Sequence, residues 1–446
     1  MKLKKFQTLA IVAGSLFILS SYAAAQSTPA ACEEELLFTY WGSPAERDAV
    51  GNMVTSFNDT HPDVRVRAQH IPDNYVEKLS TMLAANDFPD VAYLEAAANM
   101  FPLAEAGRLM DLSSFVQSDQ ERLDNTSFTY GDGKVAAVYT APEILSLFYN
   151  KAAFDEAGVA YPPAKAADAW TWDEFVDVAK QLTKDRNGNN AASPDFDPNA
   201  IDTYGLSFPT WWFGYLTFIY SNGGRLANDE GTELLLNQPD AVEVLQQMQD
   251  LIYVHHVAPT PTQSAAFPSA DVMMQSGKVA MSLDGQWKVL DFSQLANLDW
   301  SMGVLPKFKE ALTMIVSAGA GISADTACPE QAREFLAFQT PEYVDLYRKG
   351  LWMPAQRAYY TDPAKISEWI EGEEGVYPPE ARDAVVDYTL NHAPYQVEVY
   401  QLRNIQQILS EAIDPSMEQL WTGTVSAQEA MDQAVAKAEP LMEGHW

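Results

Sequence analysis

The chain has 446 residues and a formal charge of −33. So anionic a surface argues against nucleic acid and anionic membranes as partners and favours solubility, while saying nothing of the charge inside a cleft. Once a leader is set aside, about 420 residues remain, more than one hydrophobic core usually supports, so two lobes are expected.

The leader is legible first. Lys2, Lys4 and Lys5 precede an apolar run from Leu9 to Leu19 and the small residues Ala23-Ala24-Ala25 before Gln26. That is the layout of a secretory signal peptide, residues 1–25, cleaved after Ala25. The run is too short to span a bilayer, which takes about 20 residues. Removing the three lysines takes the charge to −36, because the segment holds no acidic residue. Cys32 raises lipid attachment as a second possibility. The residues before it, Pro29-Ala30-Ala31, lack the leucine-like residue three positions upstream that the attachment motif wants, so lipidation is the weaker reading. The other cysteine is Cys328; an oxidising compartment permits one disulfide between the two, and two free thiols are the alternative.

Beyond the leader, Glu35 to Trp41 reads as a strand and Ala45 to Phe57 has the apolar spacing of a helix. Val64 to Ala68 alternates like a second strand, Tyr75 to Ala85 is helical, and Asp90 to Leu94 is a third strand. Strands alternating with helices imply an α/β lobe with a largely parallel sheet. Ligands of such sheets sit at the carboxyl ends of strands, which singles out the loops at Gly42-Ser43, Pro72-Asp73 and Glu95-Ala96. A second lobe begins before Trp172. There Thr171 and Glu174 form a capping box, and Trp172 to Leu182 is amphipathic. The polar stretch Lys184 to Asp195 reads as a surface turn; its Asp-x-Asn-x-Asn spacing lacks the glycine position and closing glutamate of a calcium loop. Helices are predicted over Glu398–Ile413 and Ser426–Ala438, with Pro415 marking a break.

No nucleophile elbow, Walker loop or His-Glu-x-x-His helix is present. His255-His256 reads as a partly exposed structural pair rather than a metal site, since adjacent side chains point apart and no cysteine or third histidine lies near. The eleven tryptophans are more informative. Trp41 follows a strand, Trp211-Trp212 lie between Pro209-Thr210 and Phe213, and Trp287 follows Asp284-Gly285-Gln286. A sugar presents apolar C–H faces and a hydroxyl rim, so its site needs aromatic platforms beside carboxylates, amides and arginines.

The segment Ala141-Pro142-Glu143-Ile144-Leu145-Ser146-Leu147-Phe148-Tyr149-Asn150-Lys151-Ala152-Ala153-Phe154, followed by Trp172-Asp173-Glu174-Phe175, resembles the signature of family 1 extracellular solute-binding proteins. These are maltose-binding-protein-like receptors of ABC importers. Support comes in consistent order from Ser221-Asn222-Gly223-Gly224, Gly277 to Met281 leading to Gly285-Gln286-Trp287, Gly303 to Pro306, Arg333 to Phe338, and Gly350 to Ala355. The resemblance implies a periplasmic-binding-protein type II fold, two α/β lobes joined by a multi-strand hinge with the ligand cleft between them. Lobe 1 would comprise 35–141 and 305–346, and lobe 2 142–304 and 347–446. Crossings would fall near Ala141–Glu143, Gly303–Lys307 and Pro341–Gly350. It implies Glu143 as a hinge-side carboxylate on sugar hydroxyls. Trp287 and Trp211 or Trp212 are its aromatics, Trp41, Gly42 and Ser43 its first-strand loop, and Glu95 a polar contact after the third strand. Asp284, Tyr400 and Arg357 complete the set, Arg357 lying in an element with one residue inserted.

The implied protein is an extracytoplasmic, periplasmic monomer, not an enzyme. It binds no cofactor and no metal, takes a small sugar, and hands it to the membrane permease subunits of an importer. Alternatives are a same-fold receptor for glycerol phosphate, a polyamine or ferric iron, the last on account of Tyr359-Tyr360, or a glycoside hydrolase. A hydrolase would need two carboxylates, such as Glu143 and Asp284, about 5 to 10 Å apart across one bond.

Overall fold

The computed structural model describes residues 35–94, 97–119, 121–267, 269–339, 343–371, 375–394 and 397–446. The leader, Cys32 and Glu95 lie outside them. In the first sheet β1 (Glu35–Tyr40) pairs in parallel with β2 (Arg65–His70), from Glu35 opposite Arg65 to Tyr40 opposite His70, and on its other side with β3 (Val91–Leu94). The helix Pro44–Thr60 covers these strands with Val50, Met53, Val54 and Phe57, a stripe at helical spacing. Its start is fixed by the sequence. Ser43 accepts the Glu46 N–H, the Glu46 carboxylate accepts the Ser43 N–H, and proline fills the first turn.

The other half of this sheet departs from the parallel expectation. Strands β4 (Ser127–Tyr130) and β5 (Lys134–Tyr139) form a hairpin, and β12 (Gly319–Ile322) runs antiparallel between β3 and β5. The sheet order is β2-β1-β3-β12-β5-β4. Parallel neighbours need a crossover segment, usually a helix, whereas β12 arrives directly from the second lobe.

The second sheet has the order β10-β6-β9-β8-β7, from β6 (Glu143–Asn150), β7 (Lys184–Asp185), β8 (Ile201–Ser207), β9 (Val279–Gly285) and β10 (Trp300–Gly303), with β11 (Ile315–Val316) also on β6. Only β8 and β9 are parallel. Residues Ile144 to Tyr149 of β6 are all buried, as a central strand covered on both faces requires. The helix Trp172–Leu182 carries the predicted capping box of Thr171 and Glu174. In the following turn the Asp185 carboxylate accepts the Asn187, Asn189 and Asp197 N–H groups and the Asn189 side-chain amide at 2.8–3.1 Å, so the loop closes on its own donors. His255 and His256 are both half-buried beyond the helix Pro239–Tyr253.

The chain passes between the sheets through Thr140–Pro142, after β5, and returns through Ser317–Ala318, before β12. The return comes later than the Gly303–Lys307 step implied by resemblance, because Val316 still pairs with Glu143 of β6. Residues 340–342, where the third crossing would begin, are outside the described set. The C-terminal region also differs from its reading. Glu398–Tyr400 is a single tight turn, and helical structure resumes at Ile405 after Asn404, whose φ is +56°. Pro415 breaks nothing. The helical run from Ile405 passes through a π-helical stretch, Ile408–Ile413, directly into Asp414–Trp421, and the break comes at Gly423, with φ +71°. The last long helix, Ala427–Ala438, starts at Ser426 as predicted. Cys328, at the start of the helix Pro329–Ala337, is disulfide-bonded.

Arg122 anchors the strand that leads into the first crossing. Buried, it donates to the Tyr139 carbonyl at 2.6 Å and the Thr126 carbonyl at 3.3 Å and pairs with Asp119 at 3.4 Å. Arg122→Ala removes these contacts, leaving the Thr126 carbonyl the Tyr139 N–H and Asp119 the Gln356 amide, and is expected to lower stability by about 1–3 kcal/mol in urea unfolding. Arg122→Lys, which lacks the forked donor set, should restore only part of the loss.

Candidate functional site

A cavity of about 820 Å³ opens at the crossing segments, within the size range of small-molecule sites. Its floor is Ala141, Glu143 and Val316 to Ala318, the residues that pass between the sheets. The Ala141 N–H donates to the Ser317 hydroxyl at 3.2 Å, holding the two segments side by side.

One aromatic cluster comes from the first sheet. Trp41 follows β1 and packs edge-on against Tyr75 at 5.0 Å and Tyr93 at 6.1 Å, and Tyr93 meets Trp352 at 5.5 Å. Gly42 makes this corner possible: its φ is +126°, and a Cβ there would lie 2.8 Å from the Glu46 carboxylate. Gly42 and Ser43 therefore do not line the cavity; they build the turn that presents Trp41 and Glu46, which do.

The second cluster is Trp211, Trp212, Trp287 and Tyr400. Trp211 and Trp212 open the helix Trp212–Ser221, and the Trp421 indole N–H holds the preceding Thr210 carbonyl at 2.9 Å. Trp212 meets Tyr400 at 5.8 Å, and Phe213 backs Trp287 at 5.7 Å. Tyr400 owes its position to Glu398, which is 4% exposed. Glu398 accepts from the Tyr220 hydroxyl and the Leu226 N–H and is ion-paired with Arg225. The Trp287 ring lies across the end of β9, where a Cβ on Gly285 would fall 1.9 Å from it. Beside it the buried Gln286 amide donates to the Tyr377 hydroxyl and the Trp352 carbonyl, tying this corner to the turn that carries Trp352.

Two carboxyls line the cavity, Glu46 and Glu143. Among the described residues the Glu143 side chain has no hydrogen bond or ion pair. Burial pushes its pKa well above the carboxylate range, and the charges of Glu46 and Asp284 add to the shift. Burial also raises Glu46, against the hydrogen bonds from Ser43. Asp284 is raised to about 6 by burial, with Lys288 opposing. Lys288 in turn pairs with Asp271 at 3.2 Å and Asp291 at 2.9 Å.

Of the residues singled out in the sequence, Trp41, Glu143, Trp211, Trp212, Trp287 and Tyr400 meet in this cavity. Asp284 is not among the residues that line it, and its Oδ1 accepts the Gly285 N–H at 2.7 Å. Arg357 is elsewhere. Its segment runs along residues 121–123 through a bridge between Gln356 and Arg122, and its guanidinium pairs with Asp124 at 3.1 Å. The residue of that element that reaches the cavity is Trp352, five positions earlier, with φ +64°. Tyr359 and Tyr360 are buried away from it, Tyr360 donating to the Pro354 carbonyl. Sequence reasoning missed Glu46, Tyr93 and Trp352; Trp352 lies inside the quoted Gly350–Ala355 motif, and Glu46 is the box residue of a cap after a strand.

Residues 39–341 match the family described as bacterial extracellular solute-binding protein. The chain belongs to that family. Among curated relatives of this solute-binding protein, the arabinooligosaccharide-binding protein of Halalkalibacterium halodurans is 26% identical over 68% of this chain and 66% of its own length. The sn-glycerol-3-phosphate-binding periplasmic protein UgpB of Escherichia coli (strain K12) is 24% identical over 88% of this chain and 89% of its own. Among solved structures, an ABC substrate-binding protein of Listeria monocytogenes in complex with cycloalternan superposes with a TM-score of 0.74, at 25% identity over 92% of this chain and 98% of that one. Maltose-bound MalE3 of T. maritima gives 0.70 at 20% identity, over 91% and 99%, and shares the two-lobed fold. Members of the family bind solutes rather than transform them. No helix among the described residues is long and apolar enough to cross a membrane.

Two outcomes follow for this solute-binding protein. Gly285→Ala should displace the Trp287 ring, changing the near-ultraviolet circular dichroism while the far-ultraviolet spectrum holds, and should weaken ligand binding about 10-fold in calorimetry. The second concerns Asp284. Its folded pKa lies above the ordinary value of 3.8, so its stabilising contribution is complete below that pH and is lost as pH rises through about 6. Asp284→Asn keeps the acceptor oxygen and cannot ionise; its urea midpoint should exceed that of the parent above this window and match it below.

Proposed function

We propose that the protein is the extracytoplasmic receptor of an ABC importer, capturing a mono- or oligosaccharide by hinge closure and delivering it to the membrane permease. In this reading a signal peptide is removed near Ala25 and the mature chain acts as a monomer. Its lobes meet at the crossings Thr140–Pro142 and Ser317–Ala318, so residues 305–316 go with the second lobe; the cavity lies between the lobes, and the ligand leaves unaltered. The observation that carries the proposal is the cavity lining: five tryptophans, Trp41, Trp211, Trp212, Trp287 and Trp352, around the Glu143 carboxyl. Tryptophan faces stack on the C–H faces of pyranose rings, and a carboxylate accepts from hydroxyls. The relatives whose names specify arabinooligosaccharides, cycloalternan or maltose support the same ligand class.

The likeness to UgpB favours a glycerol phosphate ligand as a second reading. The cavity chemistry weighs against it. A phosphate ester needs cationic side chains or a convergence of backbone N–H groups. No Lys, Arg or His lines the cavity among the described residues, so a phosphate entering it would meet no cation.

Calorimetry of the mature chain against mono-, di- and trisaccharides and glycerol 3-phosphate, with chromatography of the recovered ligand, tests this. One sugar should bind at about micromolar strength or better and return unaltered. Trp287→Ala should weaken it about 10-fold. Binding of glycerol 3-phosphate with no response to any sugar would overturn the sugar reading, and an altered sugar would overturn the receptor reading.

A further inference from the structure

The cavity holds acceptors for positive charge and nothing to balance them. Glu46 and Glu143 line it without a basic residue beside them. The residues outside the described set after position 34 include no Lys, Arg or His, so none of them supplies one. Lys288, the cation whose field reaches Glu46 and Asp284, is already shared between Asp271 and Asp291. A neutral sugar hydroxyl both donates and accepts, and Ser317 and Gln406, which also line the cavity, can meet it either way; the two carboxyls are the groups that favour a cation. An ammonium only donates, and a carboxylate only accepts. Five of the rings around these carboxyls are tryptophans, whose faces attract a cation more strongly than those of any other aromatic side chain.

We propose that the saccharide bound here carries an amino group, protonated in the complex and seated between the Glu143 carboxylate and the tryptophan faces. This rests on the cavity being a sugar site and specifies its ligand as an amino sugar or an amino-substituted oligosaccharide. The carboxyl of Glu143 feels the charges of Glu46 from the helix Pro44–Thr60 and Asp284 from β9 and acts on the Tyr377 hydroxyl, to which Gln286 donates; Asp284 in turn feels Asp271, Asp291 and Lys288. With like charges nearby and partial burial, its pKa is raised, which favours the protonated form when the cavity is empty. Arrival of an ammonium reverses the balance: the carboxyl ionises, its proton passes to solvent, and a charge-assisted hydrogen bond forms. Binding of an amino sugar therefore releases a proton and tightens as pH rises toward neutrality, whereas binding of a neutral sugar does neither.

The test is calorimetry on the mature chain with matched pairs: glucose and glucosamine, cellobiose and the β-1,4-linked glucosamine dimer, trehalose and its mono-amino derivative. Glucuronate serves as the anionic control and spermidine as a cation without a ring. Each titration is run in two buffers of different ionisation heat, so that proton release is read directly. The expected result is that the amino member of at least one pair binds about 10-fold or more tightly than its hydroxyl partner. It should bind with proton release, and glucuronate should not bind. Glu143→Gln, of the same shape and free of the buried charge, should fold at least as stably and lose both the preference and the proton release. A hydroxyl member binding as tightly as its amino partner, without proton release, overturns the amino-group proposal and leaves the sugar reading standing. Failure of every sugar, or spermidine binding where no sugar does, overturns the sugar reading and this proposal with it.

Discussion

Val316 paired against Glu143, and the Ala141 N–H held by the Ser317 hydroxyl, fix two crossing segments next to each other, and the cavity exists because of that contact. β6 is central to the second sheet, bonded to β9 on one side and to β10 and β11 on the other, so the segment from Glu143 onward belongs firmly to that lobe. Arg122 does the same for the first lobe by gripping the Tyr139 carbonyl. Among the described residues, the segments that pass between the sheets here are short: Thr140 to Pro142 and Ser317 to Ala318. Hinges of this kind concentrate the backbone change in a few residues between rigid elements. Glu143 is the first residue past that hinge, so its carboxyl sits where the surroundings change most when the lobes move.

That placement gives the carboxyl leverage over closure. A ligand shifts an open–closed equilibrium only by the difference in its interaction with the two states. Closing the lobes on an unpartnered carboxyl strips water from it with no return, which opposes closure of the empty protein. A ligand donor that satisfies the carboxyl removes that opposition. The aromatic clusters contribute in the same direction, since each presents one side of the cavity and neither alone encloses a ring. Their positions are backbone decisions: the missing side chains of Gly42 and Gly285 admit Glu46 and Trp287, and the buried Glu398 seats Tyr400.

Much of this was legible in the sequence, and what was not has identifiable causes. The helices Pro44–Thr60 and Trp172–Leu182 announced themselves by capping boxes and apolar spacing, signals that are local. Trp41, Trp211, Trp212 and Trp287 were readable because each stands at a strand end or beside proline or glycine, where a large ring has no local core to join. The antiparallel half of the first sheet was not readable, because β12 joins β3 and β5 from far along the chain and no local period encodes that partner. Trp352 reaches the cavity through a left-handed φ that sequence does not suggest for so bulky a residue. Tyr93 is hidden within a strand buried along its whole length, and Glu46 has an alternative occupation as a capping residue. Arg357 was misdirected by motif position alone: the chain turns at Trp352, and the arginine comes out on the far side against Asp124.

The charge of the whole molecule and the charge of the cavity act over different ranges. A net −33 sets up a field that repels anions from the surface, but at physiological ionic strength it is screened within about 8 Å. It biases encounter and cannot choose between a sugar and its amino or phosphorylated derivative once either is inside. Inside, the effective dielectric falls and a single carboxyl acts on its neighbour several-fold more strongly than in water. Discrimination therefore belongs to Glu46 and Glu143, and it operates by what they cannot do as much as by what they can. Neither donates when ionised, and no arginine stands by to satisfy an anionic substituent. An anion entering this cavity would keep its desolvation cost with no cation to offset it, while a donor-rich ligand finds two carboxyls able to accept from it.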